Sequence, residues 1–171
     1  MQLSKSSDQS CPSNAIAVAI HKNRKAQHCG IVFTNLGGQT VLCDVLFDNL
    51  LRVEVLAPDF YWTEVQLDPW EVDQLSSFIQ MVIDQHKLWG SRLDYSLLYT
   101  VNSFNVAGQL RSGAGVTCAT FVAYIFERFA IPLVDISTWK KRPKKDAEFK
   151  SRLIAGARQR GWPEALLDTG S

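Results

Sequence analysis

Hydrophobic positions fall into short, β-branched runs in the first third of the 171-residue chain and into three- and four-residue spacings after it. That order predicts strands first and helices later. Residues 1–13 are polar and Ser-rich and read as a flexible tail. Residues 14–20 suit either a short strand or a helix start. His28-Cys29-Gly30-Ile31-Val32-Phe33 and Thr40-Val41-Leu42-Cys43-Asp44-Val45-Leu46-Phe47 are two apolar runs around Gly37-Gly38, which predicts a hairpin, and residues 51–56 extend it to an antiparallel meander. Asp68-Pro69-Trp70-Glu71 supplies an N-cap, a proline at the first helical position and a glutamate that reaches back to the cap. A helix is expected over 69–87, with Val72, Leu75, Phe78, Ile79, Val82 and Ile83 as its apolar stripe, and the segment 89–91 ends it. Residues 95–101 fit a strand or a short helix. A further helix starts at Cys118, carries Phe121, Val122, Ile125 and Phe129, and stops at Pro132. The last, over 146–160, turns Phe149, Leu153 and Ile154 inward. No internal repeat is visible. The pattern predicts an α+β fold, an antiparallel β-sheet packed against helices, in a single domain: tail 1–13, core 14–131 and a C-terminal helical extension 132–171.

Composition changes this picture little. With 46% hydrophobic residues, 20% charged residues and a net charge of +1, the chain has no global attraction to nucleic acid or membranes. Five cations in residues 140–145, beside Trp139, suit an acidic protein, nucleic acid or anionic lipid, but read first as a solvated linker between two helices. Phe60-Tyr61-Trp62 and Trp70, around an expected loop and helix start, are read as core aromatics or as the lining of a substrate cleft. No apolar run approaches the roughly 20 residues needed to span a bilayer. The polar N-terminus and the short apolar run 15–20 do not resemble a secretory signal, so a cytoplasmic location with reduced thiols is expected. Cys11, Cys29, Cys43 and Cys118 match no zinc-ligand spacing, and neither a metal nor a cofactor is expected.

Cys118 carries the strongest chemical signal. It follows the small-residue segment Arg111-Ser112-Gly113-Ala114-Gly115-Val116-Thr117 and opens a helix, where unpaired N–H groups and the helix dipole favour a thiolate nucleophile. The alternative is a buried cysteine packed as a small hydrophobe. A nucleophilic cysteine needs a base, and the three histidines are His21, His28 and His86. His86 near a helix end suits the dipole as a cation and His21 sits among lysines in a loop. His28 has no such explanation: it opens an apolar strand and is followed by small residues that leave room for its ring. If residues 34–38 form the hairpin loop, Phe33 pairs with Gln39 and His28 stands directly opposite Asp44. Asp44 is a carboxylate inside an apolar strand, where an unpaired charge is costly. It is the first choice for the residue that orients the imidazole, with Asp48 the second; the other reading of Asp44 is an edge strand facing solvent.

The pieces His28-Cys29-Gly30-Ile31-Val32, Asp44-Val45-Leu46-Phe47-Asp48-Asn49-Leu50-Leu51 and Thr117-Cys118-Ala119-Thr120-Phe121-Val122 together resemble the circularly permuted papain-like superfamily, which includes NlpC-type peptidases and relatives of lecithin:retinol acyltransferase. In that arrangement the histidine strand precedes the cysteine helix, as it does here. The resemblance spans residues 15–129 and implies a cysteine hydrolase acting on an amide substrate (peptide or isopeptide), with Cys118 as nucleophile, His28 as base and acid, and Asp44 as orienting residue. Many permuted relatives have a histidine where Asp44 stands, so this position departs from the pattern. The same residues serve a thiol acyltransferase or lipid-directed enzyme, and a non-catalytic papain-like binding module is the third reading.

Overall fold

The computed structural model describes residues 4–5, 13–22, 27–46, 50–89, 104–109, 116–133, 143–159 and 161. Among these residues six strands, β1 (Ser4–Lys5), β2 (Ala17–Lys22), β3 (Gln27–Thr34), β4 (Thr40–Val45), β5 (Leu51–Glu54) and β6 (Phe60–Glu64), form one sheet in the order β1-β6-β2-β3-β4-β5. Every neighbouring pair is antiparallel. Among the described residues three helices follow: α1 (Pro69–Trp89), α2 (Cys118–Glu127) and α3 (Pro143–Gln159). This is the α+β class the hydrophobic pattern predicts.

Alternation along the strands sorts their side chains onto two faces. Ile31, Phe33, Val41, Cys43 and Val45 join a core with Leu75, Phe78, Ile79, Val82 and Ile83 of α1 and with Phe121, Val122, Ile125 and Phe126 of α2. Ala17, Ala19, Val32, Leu42, Phe60 and Trp62 form a second buried cluster. Phe104 ties the helices together, meeting Phe78 of α1 and both Phe121 and Tyr124 of α2 edge to face. The cap of α1 forms as its sequence predicts, with Glu71 N–H donating to Asp68 Oδ1 and Asp68 N–H donating to Glu71 Oε2.

Four elements differ from the sequence reading. Part of the 1–13 tail is held as β1, an edge strand on β6. Phe60-Tyr61-Trp62 is not loop but strand β6 in the interior of the sheet, with Phe60 and Trp62 buried and Tyr61 exposed. Helix α3 begins at Pro143, so part of the basic run lies within a helix instead of a linker. The β3–β4 hairpin is shifted by two residues: Phe33 pairs with Val41 and Asp44 with Gly30. The cause is Asn35, whose Oδ1 accepts hydrogen bonds from the N–H groups of Gly37 and Gln39 and makes 35–39 the loop. Residues 95–101 lie outside the described residues.

Because the shift is by two, side-chain parity survives and Asp44 still shares a face with His28. The residue opposite it is now Gly30. A Cβ there would lie 2.7 Å from the Cys43 carbonyl oxygen and 2.8 Å from Asp44 Cβ. Gly30→Ala is therefore expected to cost about 1–3 kcal/mol of stability through overpacking between two buried strands, measured by denaturant unfolding. An unchanged midpoint would show that β3 and β4 separate at no cost.

Candidate active site

Helix α2 presents Cys118 as its first residue. Thr117 is the N-cap, with extended backbone (φ −104°, ψ 172°). Its hydroxyl accepts from Thr120 N–H at 3.1 Å, while Thr120 Oγ1 accepts from Thr117 N–H at 2.7 Å. Val116 before the cap and Phe121 four residues after it are both fully buried in the same core, the positions of a hydrophobic staple. The entry angle of the helix is thus held from both sides. An α-helix leaves its first N–H groups without internal partners. The cap consumes those of Thr117 and Thr120, which leaves the Cys118 and Ala119 amides as donors at the helix end.

The sheet supplies the rest. His28 Nε2 and Asp44 Oδ2 are 2.7 Å apart. They are diagonal neighbours, not directly opposite, because Asp44 pairs with Gly30 and the missing side chain lets the carboxylate lean toward the imidazole. With Nε2 engaged by Asp44, Nδ1 is the nitrogen left for Cys118, to which the His28 side chain is also hydrogen-bonded. Asp44 is fully buried. Arg52 stands directly opposite it on β5 and grips it with two bonds, Nε to Oδ1 at 2.9 Å and Nη2 to Oδ2 at 2.5 Å. The remaining arm of Arg52 reaches Glu54 at 2.9 Å. Asp44 is therefore not an edge residue facing solvent.

Cys29 is the residue the sequence reading undervalued, as a mere spacer beside His28. Its side chain and its backbone N–H both hydrogen-bond Cys118. Together with His28 these contacts push the Cys118 thiol down to about 4: the Cys29 hydrogen bond is the largest effect, burial opposes it, and the His28 hydrogen bond and charge add to it. His28 is pushed up to about 9, first by its bond to Asp44 and then by its bond to Cys118, against burial. Burial works against the Asp44 carboxylate, but the bonds from His28 and Arg52 outweigh it and hold the group below its ordinary value. Cys29 moves upward because the Cys118 hydrogen bond, burial and the nearby negative charges all disfavour its ionisation. The result is a thiolate–imidazolium pair backed by a carboxylate–guanidinium pair.

The other candidates are placed elsewhere. His21 lies in β2, not in a loop, and its Nε2 contacts Asp59 at 2.6 Å while its ring packs on Phe60. His86 is not a helix-end cation: its Nε2 is buried without a hydrogen-bond partner among the described residues, and burial lowers its pKa. Asp48 lies outside the described residues. Trp70 is 69% exposed at the start of α1, so it is no core residue.

Two outcomes follow from this geometry. Alkylation of Cys118 by iodoacetamide is expected to rise through about pH 4 and to remain level to about pH 9, since the depressed thiol is charged above its own pKa and the raised imidazole keeps its proton below its own. An inflection only near the ordinary cysteine value of about 8.5 in the pH–rate profile would contradict it. Arg52→Ala is expected to destabilise the fold by about 1–3 kcal/mol by stripping two bonds from a buried carboxylate. Arg52→Lys is expected to recover only part of this in thermal unfolding, because a lysine cannot make the two-pronged grip.

Comparison with known proteins yielded no match: no family model, no curated protein and no solved structure matches this chain.

Proposed function

We propose that this chain is a cysteine hydrolase that cleaves an amide bond, peptide or isopeptide, through an acyl-enzyme intermediate. The observation that carries the reading is one contiguous hydrogen-bonded chain: Cys118 to His28, and His28 to Asp44 at 2.7 Å. Nucleophile, base and orienting group are the parts such chemistry needs. A buried ion pair is a weak device for stability alone, since apolar side chains of similar size serve at least as well. Strongly shifted, opposed pKa values at a partly exposed helix end favour a functional site. The resemblance to permuted papain-like enzymes, with the histidine strand ahead of the cysteine helix, points the same way.

In this reading the Cys118 thiolate attacks the substrate carbonyl, and the amides of Cys118 and Ala119 at the helix end donate to the oxyanion. His28, charged from the outset, gives its proton to the leaving nitrogen. It then takes a proton from the water that releases the acyl group. Asp44 keeps its charge throughout, because Arg52 compensates it from the far side, and fixes the imidazole with Nδ1 toward sulfur.

The test joins a labelling experiment to turnover. Limiting iodoacetamide at a pH midway between the two shifted values is expected to modify Cys118 selectively, with His28→Ala slowing the reaction by about a hundredfold. Cys118→Ala is expected to lower turnover of fluorogenic peptide and isopeptide amides by at least about a thousandfold with the fold intact. Slow, equal labelling of all the cysteines in the wild type would refute the reading.

A further inference from the structure

Cys29 remains unexplained by hydrolysis, which requires one thiol. Its neighbour in β3, His28, is the base, and the chain position after it needs only to be small. A second sulfur in hydrogen-bond contact with the nucleophile is a more specific feature. We propose that Cys29 and Cys118 form a reversible oxidative modification site, in which a hydroperoxide converts the pair to an intramolecular disulfide that blocks the nucleophile and a thiol reductant restores it. The inference rests on the reading of Cys118 as the reactive residue and adds a means of regulating that same site.

Geometry supports it from both sides. Cys29 packs against the core that α2 shares with β3, and Cys118 is the first residue of that helix. Neither cysteine is in a disulfide, and both are only partly buried, so a small oxidant can reach them. Cys43, on the same face of the sheet, is fully buried and pairs with Ile31. The Cys29 side chain and the Cys118 side chain interact directly, and a disulfide would draw the two sulfurs together to about 2.05 Å. The backbones on either side are already held together by core packing.

The chemistry balances without an outside acid or base. The Cys118 thiolate attacks one oxygen of the hydroperoxide; the O–O bond breaks, sulfur becomes a sulfenic acid, and the imidazolium of His28 protonates the departing oxygen. Oxidation removes the negative charge on Cys118, and with it the largest of the interactions that hold Cys29 protonated. Cys29 then gives its proton to the neutral His28 and attacks the sulfenic sulfur. The S–O bond breaks, the S–S bond forms, and the hydroxide leaves as water with that proton. Two sulfurs lose one electron each, and one peroxide takes both. Without Cys29 the sulfenic acid would persist and oxidise further to irreversible sulfinic and sulfonic acids.

The wild-type chain, exposed to a small excess of hydrogen peroxide, quenched with catalase and capped with N-ethylmaleimide, is to be mapped by non-reducing peptide mass spectrometry. The expected result is a loss of two hydrogens from the intact mass, a crosslinked pair of peptides containing Cys29 and Cys118, and a fall of more than about tenfold in Cys118 alkylation that dithiothreitol reverses. Cys29→Ser is expected to gain two or three oxygens at Cys118 under the same treatment. Over-oxidation of Cys118 in the wild type with Cys29 still capped by maleimide would overturn the proposal, as would a disulfide to Cys11 or Cys43. The wild-type map decides the matter even if Cys29→Ser fails to fold. Selective iodoacetamide labelling of Cys118 with no disulfide would sink the switch alone, whereas a disulfide in a chain inert toward amides would sink only the hydrolase reading.

Discussion

A carboxylate cut off from water stays charged only if its neighbours supply the hydrogen bonds and positive charge that water would have given it. Asp44, buried on the strand next to the sheet's outer strand β5, gets both from the strands beside it. Arg52 on β5 takes both its oxygens and His28 on β3 shares one of them. Much follows from this one requirement. Strand β4 must be flanked by β3 and β5, the register must set Arg52 opposite Asp44, and position 30 must lack a side chain so that the carboxylate and the imidazole can meet. Satisfying Asp44 fixes the orientation of His28, and that orientation leaves one ring nitrogen for sulfur.

The sulfur arrives from the opposite direction, on a helix. Its position is set by a cap and a staple at the helix start and by the aromatic contacts of Phe104, which tie α2 to α1 above the sheet. Sheet and helix therefore contribute separate halves of the site, joined where the start of β3 meets the start of α2. Cys29 stands at that joint. It donates to the Cys118 sulfur from side chain and backbone alike, which makes the strand as much a part of that sulfur's environment as the helix end.

How far the arrangement is legible in the sequence depends on whether the signal is local. Helix α1 is announced by Asp68-Pro69-Trp70-Glu71 and its stripe, and Cys118 by the small residues before it and the aromatic run after it. The hairpin is visible too, but Gly37-Gly38 draws the eye to the wrong centre; the Asn35 side chain decides the loop. The same Asn-x-x-Gly-Gln pattern recurs at Asn105, where Oδ1 again accepts from the second and fourth residues onward, so that turn was readable. Strand β6 hides its alternation because Phe60, Tyr61 and Trp62 are all aromatic, whichever way they face. Arg52 emerges only once β5 is paired to β4 residue by residue. The Cys29–Cys118 contact has no local signature, since it joins a strand to a helix 89 positions away.

Taken in order, Cys118, His28, Asp44, Arg52 and Glu54 alternate negative and positive from the start of α2 across β3 and β4 to a carboxylate at the outer strand of the sheet. Asp44 is wholly enclosed, while the Arg52 and Glu54 side chains are 31% and 41% exposed, and dissolved ions screen charges they can approach far better than charges enclosed by protein. Raising the ionic strength thus loosens the Arg52–Glu54 pair and reaches the Asp44 carboxylate least. Asp44 carries its own counter-ions in fixed positions, and its charge is correspondingly indifferent to the saltiness of its surroundings.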